Sequence, residues 1–373
     1  MAIYIIGFAA SLLLLYYAEK REFTGQNAKV SAFFALVIPC LIAGLRAKSV
    51  GTDVDTYVRP LFLAAGISES FWDYLTVGYS QYGWDINIVS DFEIGFTVLV
   101  FVVQRIFGDL QVLLFVIQAL TIIPIYKGLR AFGKTQPVWM GMAVYYLMFF
   151  NYSLNMMRQW IAMALLFYAF QFLVAGKYRR YFVIWAIALT FHTTAFLGLA
   201  TFAIYHLVAR ENSYGKTIKM LLICVIGAVS ILGLEIMTKV LNMMGFNYGS
   251  YISGTLQLMP NQILYRLPLL LLFFVQWKRI KKIDKHARYY LLMVILDLLA
   301  SQLISIYAHS GRVGIYFSEY YMLAYPALYV SASKSDNRKV IRWFVLIFLC
   351  VYWWYVYAFG GTGETVPYEF FFT

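Results

Sequence analysis

The sequence predicts an all-α polytopic integral membrane protein, and three observations lead to that prediction. Hydrophobic residues make up 62% of the 373 residues and charged residues only 13%, whereas a soluble chain is roughly half apolar and about a quarter charged. The apolar residues fall in long continuous runs, whose backbone polar groups need internal partners in lipid. Because these runs do not alternate between apolar and polar residues, they favour helices over a transmembrane barrel.

Short clusters of Lys and Arg separate the runs and indicate their orientation. Most of the 30 basic residues lie in these clusters, which we expect on the cytoplasmic side because of the positive-inside bias. The N-terminal run lacks a basic region before it and a cleavage site after it, so we interpret it as a retained first helix. The predicted spans are 2–18, 30–45, 94–107, 110–126, 138–152, 157–175, 181–191, 194–208, 218–237, 263–277, 289–307, 314–331 and 343–359.

Two polar segments are predicted to be outer loops, at residues 46–92 and 238–262. Within the first, residues 61–77 are expected to form one amphipathic helix along the interface. The runs 94–107 and 110–126 are expected to make one net crossing together, since the first is shorter than the ~20 residues that a crossing needs. We expect residues 1–373 to form a single transmembrane domain of about 11–13 helices.

Composition and motifs exclude several function classes. The three cysteines lie inside apolar runs, so they indicate neither metal spacing nor a disulfide framework. No phosphate-binding glycine loop, HExxH run or nucleophile elbow occurs in its required setting. The net charge of +12 comes from loop clusters rather than from a basic soluble face, so no nucleic-acid partner is expected. We also expect no metal and no cofactor.

Four arginines stand at helix ends on the predicted outer side, against the positive-inside bias. They are Arg46, Arg158, Arg266 and Arg312. An arginine fork binds two phosphate oxygens at once and stays charged, so the set predicts a shared anionic ligand. The alternative is that each arginine snorkels to the interface or pairs with a nearby acid. Glu319 and Asp297 are the candidate partners of Arg312 in that interpretation.

Two residues are candidates for a general base. His192 lies at the tip of the predicted hairpin of two short helices. An imidazole pKa of about 6.5 suits proton transfer at neutral pH. Asp53, in the run GTDVDTY, is an outer-face carboxylate that can accept a proton or orient an arginine. Each also has a structural interpretation, as a hydrogen-bonded core histidine and as a helix-capping aspartate. His309 is a candidate for positioning Arg312, which follows it by one helical turn.

Short motifs containing these residues occur in a fixed order along the chain. They are GLR ending at Arg46, GTDVDTY with Asp53 and Tyr57, EIGF beginning at Glu93, NMMRQ from Asn155 to Gln159, FHTTA containing His192, and RVGIYF beginning at Arg312. In this order the motifs resemble the EpsG family, a group of Wzy-like polymerases of bacterial exopolysaccharide and capsule. The resemblance extends from about residue 16 to residue 332.

The resemblance implies a fold similar to that of GT-C-type glycosyltransferases, such as O-antigen ligases and polymerases. It also implies a multi-pass enzyme of the bacterial inner membrane whose active site faces the periplasm. The implied donor is an undecaprenyl-diphosphate-linked oligosaccharide, and the acceptor is the non-reducing end of another lipid-linked repeat unit of exopolysaccharide, capsule or O-antigen. Membrane lipid, a flippase and a chain-length regulator are the implied partners.

These interpretations combine into one expected site. The expected diphosphate-binding residues are Arg158, Arg312, Arg46 and Arg266, the expected base is His192 or Asp53, and the expected substrate-binding residues are Tyr57, Gln159, Tyr316 and Glu93. Two other functions stay open at this point: a transporter or flippase of lipid-linked oligosaccharide, and a membrane acyltransferase that modifies a polysaccharide. Product length separates the first from a polymerase, because a flippase forms no glycosidic bond.

Overall fold

The computed structural model describes residues 1–81, 85–209, 222, 257–305, 310–332 and 337–372. Across these residues, five helices are long and apolar enough to cross a membrane: Ala2–Phe23, Leu110–Ala131, Met157–Val174, Ala287–Ser305 and Lys339–Phe359. Three shorter apolar helices accompany them, at Lys29–Gly44, Ile94–Phe107 and Thr193–Val208. The predicted class, an all-α polytopic membrane protein, is confirmed.

The α-helices whose bounds the structure gives are α1 (Ala2–Phe23), α2 (Lys29–Gly44), α3 (Arg59–Ile67), α4 (Phe71–Thr76), α5 (Ile94–Phe107), α6 (Leu110–Ala131), α7 (Val138–Val144), α8 (Phe150–Ser153), α9 (Met157–Val174), α10 (Tyr178–Leu189), α11 (Leu197–Ala209), α12 (Pro260–Ile283), α13 (Ala287–Gln302), α14 (Ser310–Ser318), α15 (Tyr321–Ser331) and α16 (Arg338–Trp353). Wider π-helical turns occur at Val54–Val58, Tyr145–Phe149 and Trp354–Phe359. Strands β1 (Gly78–Gln81) and β2 (Asp85–Ile88) form an antiparallel hairpin that pairs Gly78 with Ile88.

The chain divides into two compact units. Unit 1 comprises Met1–Ala195 and Leu346–Thr373, and unit 2 comprises Phe196–Val345. In unit 1, α6 packs against α9 and α2, and α9 also packs against α10. In unit 2, α13 packs against α12, α14 and α15. Sequence analysis predicts a single domain, and that remains a prediction about the whole chain.

Two predicted helices are each interrupted in the structure. The predicted interfacial helix 61–77 is instead α3 and α4, because Ser68 is extended and the Ser70 side chain caps α4 by accepting from the Asp73 N–H. The predicted span 314–331 is α14 followed by α15. There the Met322 N–H bonds the Glu319 carbonyl, only three residues back, so the helix tightens and breaks.

The C-terminal residues 360–372, which we call the C-terminal strap, pack against the N-terminal part of unit 1. The Ala47 N–H donates to the Glu369 carbonyl at 2.9 Å, and the Phe371 N–H donates to the Leu45 carbonyl at 3.0 Å. These bonds flank Arg46 and pair the strap with the chain that leaves α2. The end of the sequence therefore helps to hold one of the predicted site residues.

Some predictions fall outside the described residues. They are the span 218–237 apart from residue 222, most of the outer loop 238–262, and His309. The number of membrane crossings is for the same reason still a prediction.

Candidate functional site

The carboxylate of Glu93 is the centre of a polar cluster in unit 1. Its Oε1 atom lies 2.8 Å from His192 Nδ1 and accepts a hydrogen bond from the Thr193 N–H at 3.1 Å. Its Oε2 atom forms an ion pair with Arg158 Nη1. The side chains of Glu93, His192 and Arg158 are 12%, 14% and 24% exposed. A predicted base and a predicted diphosphate ligand therefore share one acidic partner.

A close approach between two helices positions this cluster. Glu93 immediately precedes α5, and His192 follows the end of α10. The Gly95 N–H donates to the Thr190 carbonyl at 2.7 Å, and a Cβ atom at Gly95 would lie 2.7 Å from the same oxygen. Because position 95 lacks a side chain, the start of α5 can reach the end of α10 and bring the two functional side chains together.

The guanidinium of Arg158 also stacks on two aromatic rings. Its Cζ lies 4.6 Å from the Phe92 ring centroid and 5.0 Å from that of Tyr57, and the two rings stack with centroids 5.5 Å apart. The Tyr57 hydroxyl donates to Asp53 Oδ2 at 2.7 Å. Burial, and then the charge of Asp53, raise the pKa of Tyr57 well above its usual value. The phenol therefore remains a donor at neutral pH, and the cation–π contacts hold the arginine in one orientation.

Arg46 is buried next to the turn that precedes α9, with 1% of its surface exposed. Its Nη2 donates to the Leu154 carbonyl at 3.0 Å and contacts Met157 Sδ at 3.4 Å. Burial lowers its pKa to about 10, so it stays protonated at neutral pH. Within the described chain Arg46 joins no ion pair and its Nε has no acceptor. A buried cation without a direct counter-ion makes the potential around residues 154–158 positive.

Asn155, in the same turn, connects two loops. Its Oδ1 accepts from the Thr52 N–H at 2.7 Å, and its Nδ2 donates to the Gly363 carbonyl at 2.6 Å. The Gly51 N–H donates to the Glu364 carbonyl at 3.0 Å. Gly51 and Gly363 have φ values of 89° and 77°, which glycine adopts without strain. The loop that carries the predicted carboxylate Asp53 is thus held between Asn155 and the C-terminal strap.

The surroundings of Glu93 keep its carboxylate ionised. Burial raises its pKa, but the hydrogen bond from His192 and the charges of Arg158 and His192 outweigh burial and lower the pKa to about 2. An ionised carboxylate at Nδ1 favours the imidazole tautomer that carries its proton there, so the lone pair lies on Nε2. This is the orientation that a histidine general base needs.

Two further predicted diphosphate ligands lie in unit 2. Arg266 donates from Nε and Nη2 to Asp297 at 2.6 and 3.1 Å, and the Tyr321 hydroxyl donates to the same carboxylate at 2.6 Å. Of the two interpretations offered for the arginines, pairing with a nearby acid is therefore the one observed for Arg266. Asp297, one of the two candidate partners of Arg312, pairs with Arg266, because α12 and α13 place these two side chains together.

Arg312 and Tyr316 lie on α14, where Arg312 is exposed and Tyr316 is fully buried. Glu319 is also buried, with 1% exposure, and its Oε2 accepts no hydrogen bond from the described residues. The expected pair between Arg312 and Glu319 does not form, since one side chain is at the surface and the other is in the core. Gln159 on α9 is likewise buried, with 3% exposure.

Comparison with known families places the chain in one of them. The sequence model of the EpsG family matches residues 29–370, a range that includes every residue of the candidate site. The chain belongs to the EpsG family. Membership fits a polysaccharide polymerase of the glycosyltransferase kind, and the apolar helices fit a multi-pass membrane protein. No curated protein and no solved structure matches the chain.

Three contributors to the site of this EpsG-family protein were not predicted from its sequence. Phe92 and Thr193 are direct neighbours of predicted residues, so their positions follow once Glu93 and His192 are known. Asn155 begins the NMMRQ motif, which was the available signal for its role. Its link to the C-terminal strap had no signal, because it joins residues that lie far apart in sequence.

The described residues of the EpsG-family protein include no group of three His, Cys, Asp or Glu side chains that could hold a metal ion. Metal independence remains a prediction, to be tested with a chelator.

Proposed function

We propose that this EpsG-family protein polymerises polysaccharide repeat units on the outer face of the bacterial inner membrane. The donor is a glycan linked to undecaprenyl diphosphate, and the acceptor is the non-reducing-end hydroxyl of another lipid-linked repeat unit. The observation that supports this proposal best is the cluster in which Glu93 contacts both His192 and Arg158. It combines a candidate base with a cation in one shielded place.

Arg158 is the proposed ligand of the donor diphosphate. Its ion pair and its two ring contacts hold the guanidinium in a defined orientation before substrate binds. The start of α9 adds the positive end of a helix dipole, and the buried charge of Arg46 adds to the same potential. Preorganised positive charge stabilises the negative charge that grows on the leaving diphosphate.

His192 is the proposed base, and Glu93 is its positioning residue. The acceptor hydroxyl oxygen attacks the anomeric carbon of the donor, and the bond from that carbon to the diphosphate oxygen breaks. The electron pair of that bond leaves with the diphosphate, and the hydroxyl proton passes to Nε2 of His192. We assign this step to His192 rather than to Asp53 because Glu93 orients the imidazole, whereas Asp53 accepts a hydrogen bond from Tyr57.

The other expected residues take supporting places in this proposal. Tyr57 and Asp53 hold Arg158 and its surroundings, and Gln159 is buried one position after Arg158. Arg312, at the surface of unit 2, remains a proposed diphosphate ligand. In Arg266 all three guanidinium nitrogens already donate, to Asp297 and to Gln262, so we assign it a structural role in unit 2.

Reconstitution tests the proposal directly. Purified protein with lipid-diphosphate repeat units should yield a ladder of longer glycans, whereas a flippase would move lipid without lengthening it. Arg158→Ala should abolish the ladder, and Arg59→Ala, which removes an exposed arginine of the same outer segment, should leave it unchanged. A full ladder from Arg158→Ala would refute the assignment of the diphosphate site. A ladder that is lost on addition of a chelator would refute metal independence.

The membrane orientation needs a separate measurement. Thr193 is exposed next to His192, so a cysteine placed there should react with a membrane-impermeant thiol reagent added from the periplasmic side of the inner membrane. Reaction only from the cytoplasmic side would place the cluster on the wrong face for this chemistry, and would favour an acyltransferase.

A further inference from the structure

A cavity of unit 1 lies between α9 and α10, away from the Glu93 cluster. It has a volume of about 370 Å³ and is lined by Tyr168, Phe172, Arg179, Arg180, Val183 and Ile184. Members of this set repeat three or four residues apart, so one face of each helix forms a wall. The arginines stand at the beginning of α10, whereas His192 follows its end. The cavity and the proposed catalytic site therefore belong to opposite ends of one helix.

Among the described residues, no acid pairs with the positive charge at this cavity. Arg179, Arg180 and the preceding Lys177 are exposed, and no ion pair of the described residues includes any of them. By contrast, Arg130, another predicted cytoplasmic cation of unit 1, pairs with Glu22 at 3.0 Å. A basic cluster that pairs with no described acid is complementary to an external anion.

The cations border directly on the apolar wall. The Cζ of Arg180 lies 5.7 Å from the Phe172 ring centroid, and Tyr168 packs edge-on against Phe172 with centroids 5.5 Å apart. Val183 on α10 is 54% exposed. An apolar groove that ends in paired arginines matches an amphiphile with acyl chains and a negatively charged head.

We propose that this cavity binds an anionic phospholipid of the cytoplasmic leaflet. The lipid phosphate binds Arg179 and Arg180, whose planar forks suit its oxygens. An acyl chain lies against Phe172, Val183 and the neighbouring apolar walls. The positive-inside bias predicts this end of α10 on the cytoplasmic side, where basic pockets between transmembrane helices bind anionic lipid headgroups. The proposal is independent of the catalytic assignment.

Lipid binding to the purified full-length protein tests the site. Phosphatidylglycerol and phosphatidylcholine with the same acyl chains are titrated in detergent, and bound lipid is counted by native mass spectrometry. Phosphatidylglycerol should bind more tightly, and Arg179→Gln/Arg180→Gln should weaken it by roughly 30-fold. Lys281→Gln/Lys282→Gln, which removes two exposed cations of another cluster, is the matched control and should bind like the wild type.

A second variant separates the acyl chain from the head. Val183→Trp keeps both arginines and fills the groove, so it should weaken the binding of phosphatidylglycerol. Its circular dichroism spectrum, which reports helix content, should be unchanged. Glycerol phosphate, which has the head without the chains, should bind much more weakly than the lipid. Equal binding of the two phospholipids, wild-type affinity in both variants, or glycerol phosphate binding as tightly as the lipid would each overturn the proposal.

Discussion

The Nδ1 atom of His192 lies 2.8 Å from Oε1 of Glu93, and the other oxygen of that carboxylate binds Arg158. A single acid thus orients both the proposed base and the proposed diphosphate ligand. Because His192 and Arg158 share the carboxylate of Glu93, we expect the contributions of the three residues to catalysis to be coupled rather than additive.

Glu93→Gln should lower kcat by about 100-fold, within the range for loss of general-base assistance. The amide keeps the size of the side chain, but it loses the charge and presents a donor to one of its two partners. Glycan ladder kinetics measure the effect. If Glu93 acts in part through the histidine, Glu93→Gln/His192→Ala should lose less activity than the product of the two single losses. Multiplicative losses would show that Glu93 does not act through the histidine.

The free energy of unfolding of the protein should depend on pH through the ionisation of Glu93. Its folded pKa of about 2 lies below the ordinary value of 4.5, so its contribution is fully present above about pH 4.5 and is lost as the pH falls towards 2. The shift corresponds to a free energy on the order of 3 kcal/mol. Thermal unfolding at pH 7 and pH 3 should show a gap in Tm between wild type and Glu93→Gln that narrows at pH 3. A constant gap would contradict the assignment.

Gly95→Ala should lower both stability and activity. A Cβ atom there would lie 2.7 Å from the Thr190 carbonyl oxygen, which is backbone and cannot move aside easily, so α5 and α10 would separate. Gly66→Ala is the matched control, because its Cβ would meet only the flexible side-chain end of Gln104, at 2.9 Å. Thermal unfolding and ladder assays on both variants test the prediction, and an equal effect of the two changes would refute it.

Asn155→Ala should destabilise the protein by about 1–3 kcal/mol, the usual result of leaving buried hydrogen-bonding groups without partners, and should reduce kcat. The variant removes the acceptor for Thr52 and the donor to Gly363. Asn155→Asp keeps the acceptor for Thr52 and loses only the bond to Gly363 of the C-terminal strap, so its effect should be smaller. Ser49→Ala, which removes only an exposed bond to Glu369, should behave like the wild type in both assays.

Arg158→Lys should fail to restore activity although it keeps the charge. A lysine cannot form the planar fork or stack in the same way on Phe92 and Tyr57, so we expect a loss of about 100-fold in kcat/KM for the diphosphate donor, as for other misplaced transition-state contacts. Arg59→Lys on the exposed surface is the control. Near-normal kinetics for Arg158→Lys would show that charge alone suffices.

Sequence patterns predicted much of the site because the motifs hold its parts in short runs. Asp53 with Tyr57, and Arg158 with Gln159, are each adjacent within one helical turn, so helical spacing alone places them together. Glu93, which the sequence predicts to bind substrate, lies beside both His192 and Arg158. That juxtaposition depends on the close approach of Gly95, at the start of α5, to Thr190, at the end of α10, which no local pattern encodes.

The sequence by itself determined that the chain is a bundle of apolar helices with arginines and a histidine at helix ends, because hydropathy and charge are local properties. Only the tertiary structure decided which acid each cation meets: Glu93 for Arg158 and Asp297 for Arg266. It also decided that the C-terminal strap reaches Asn155. The physical reason is that ion pairs and loop contacts join residues that are distant in sequence. Which residues meet therefore depends on how the helices pack.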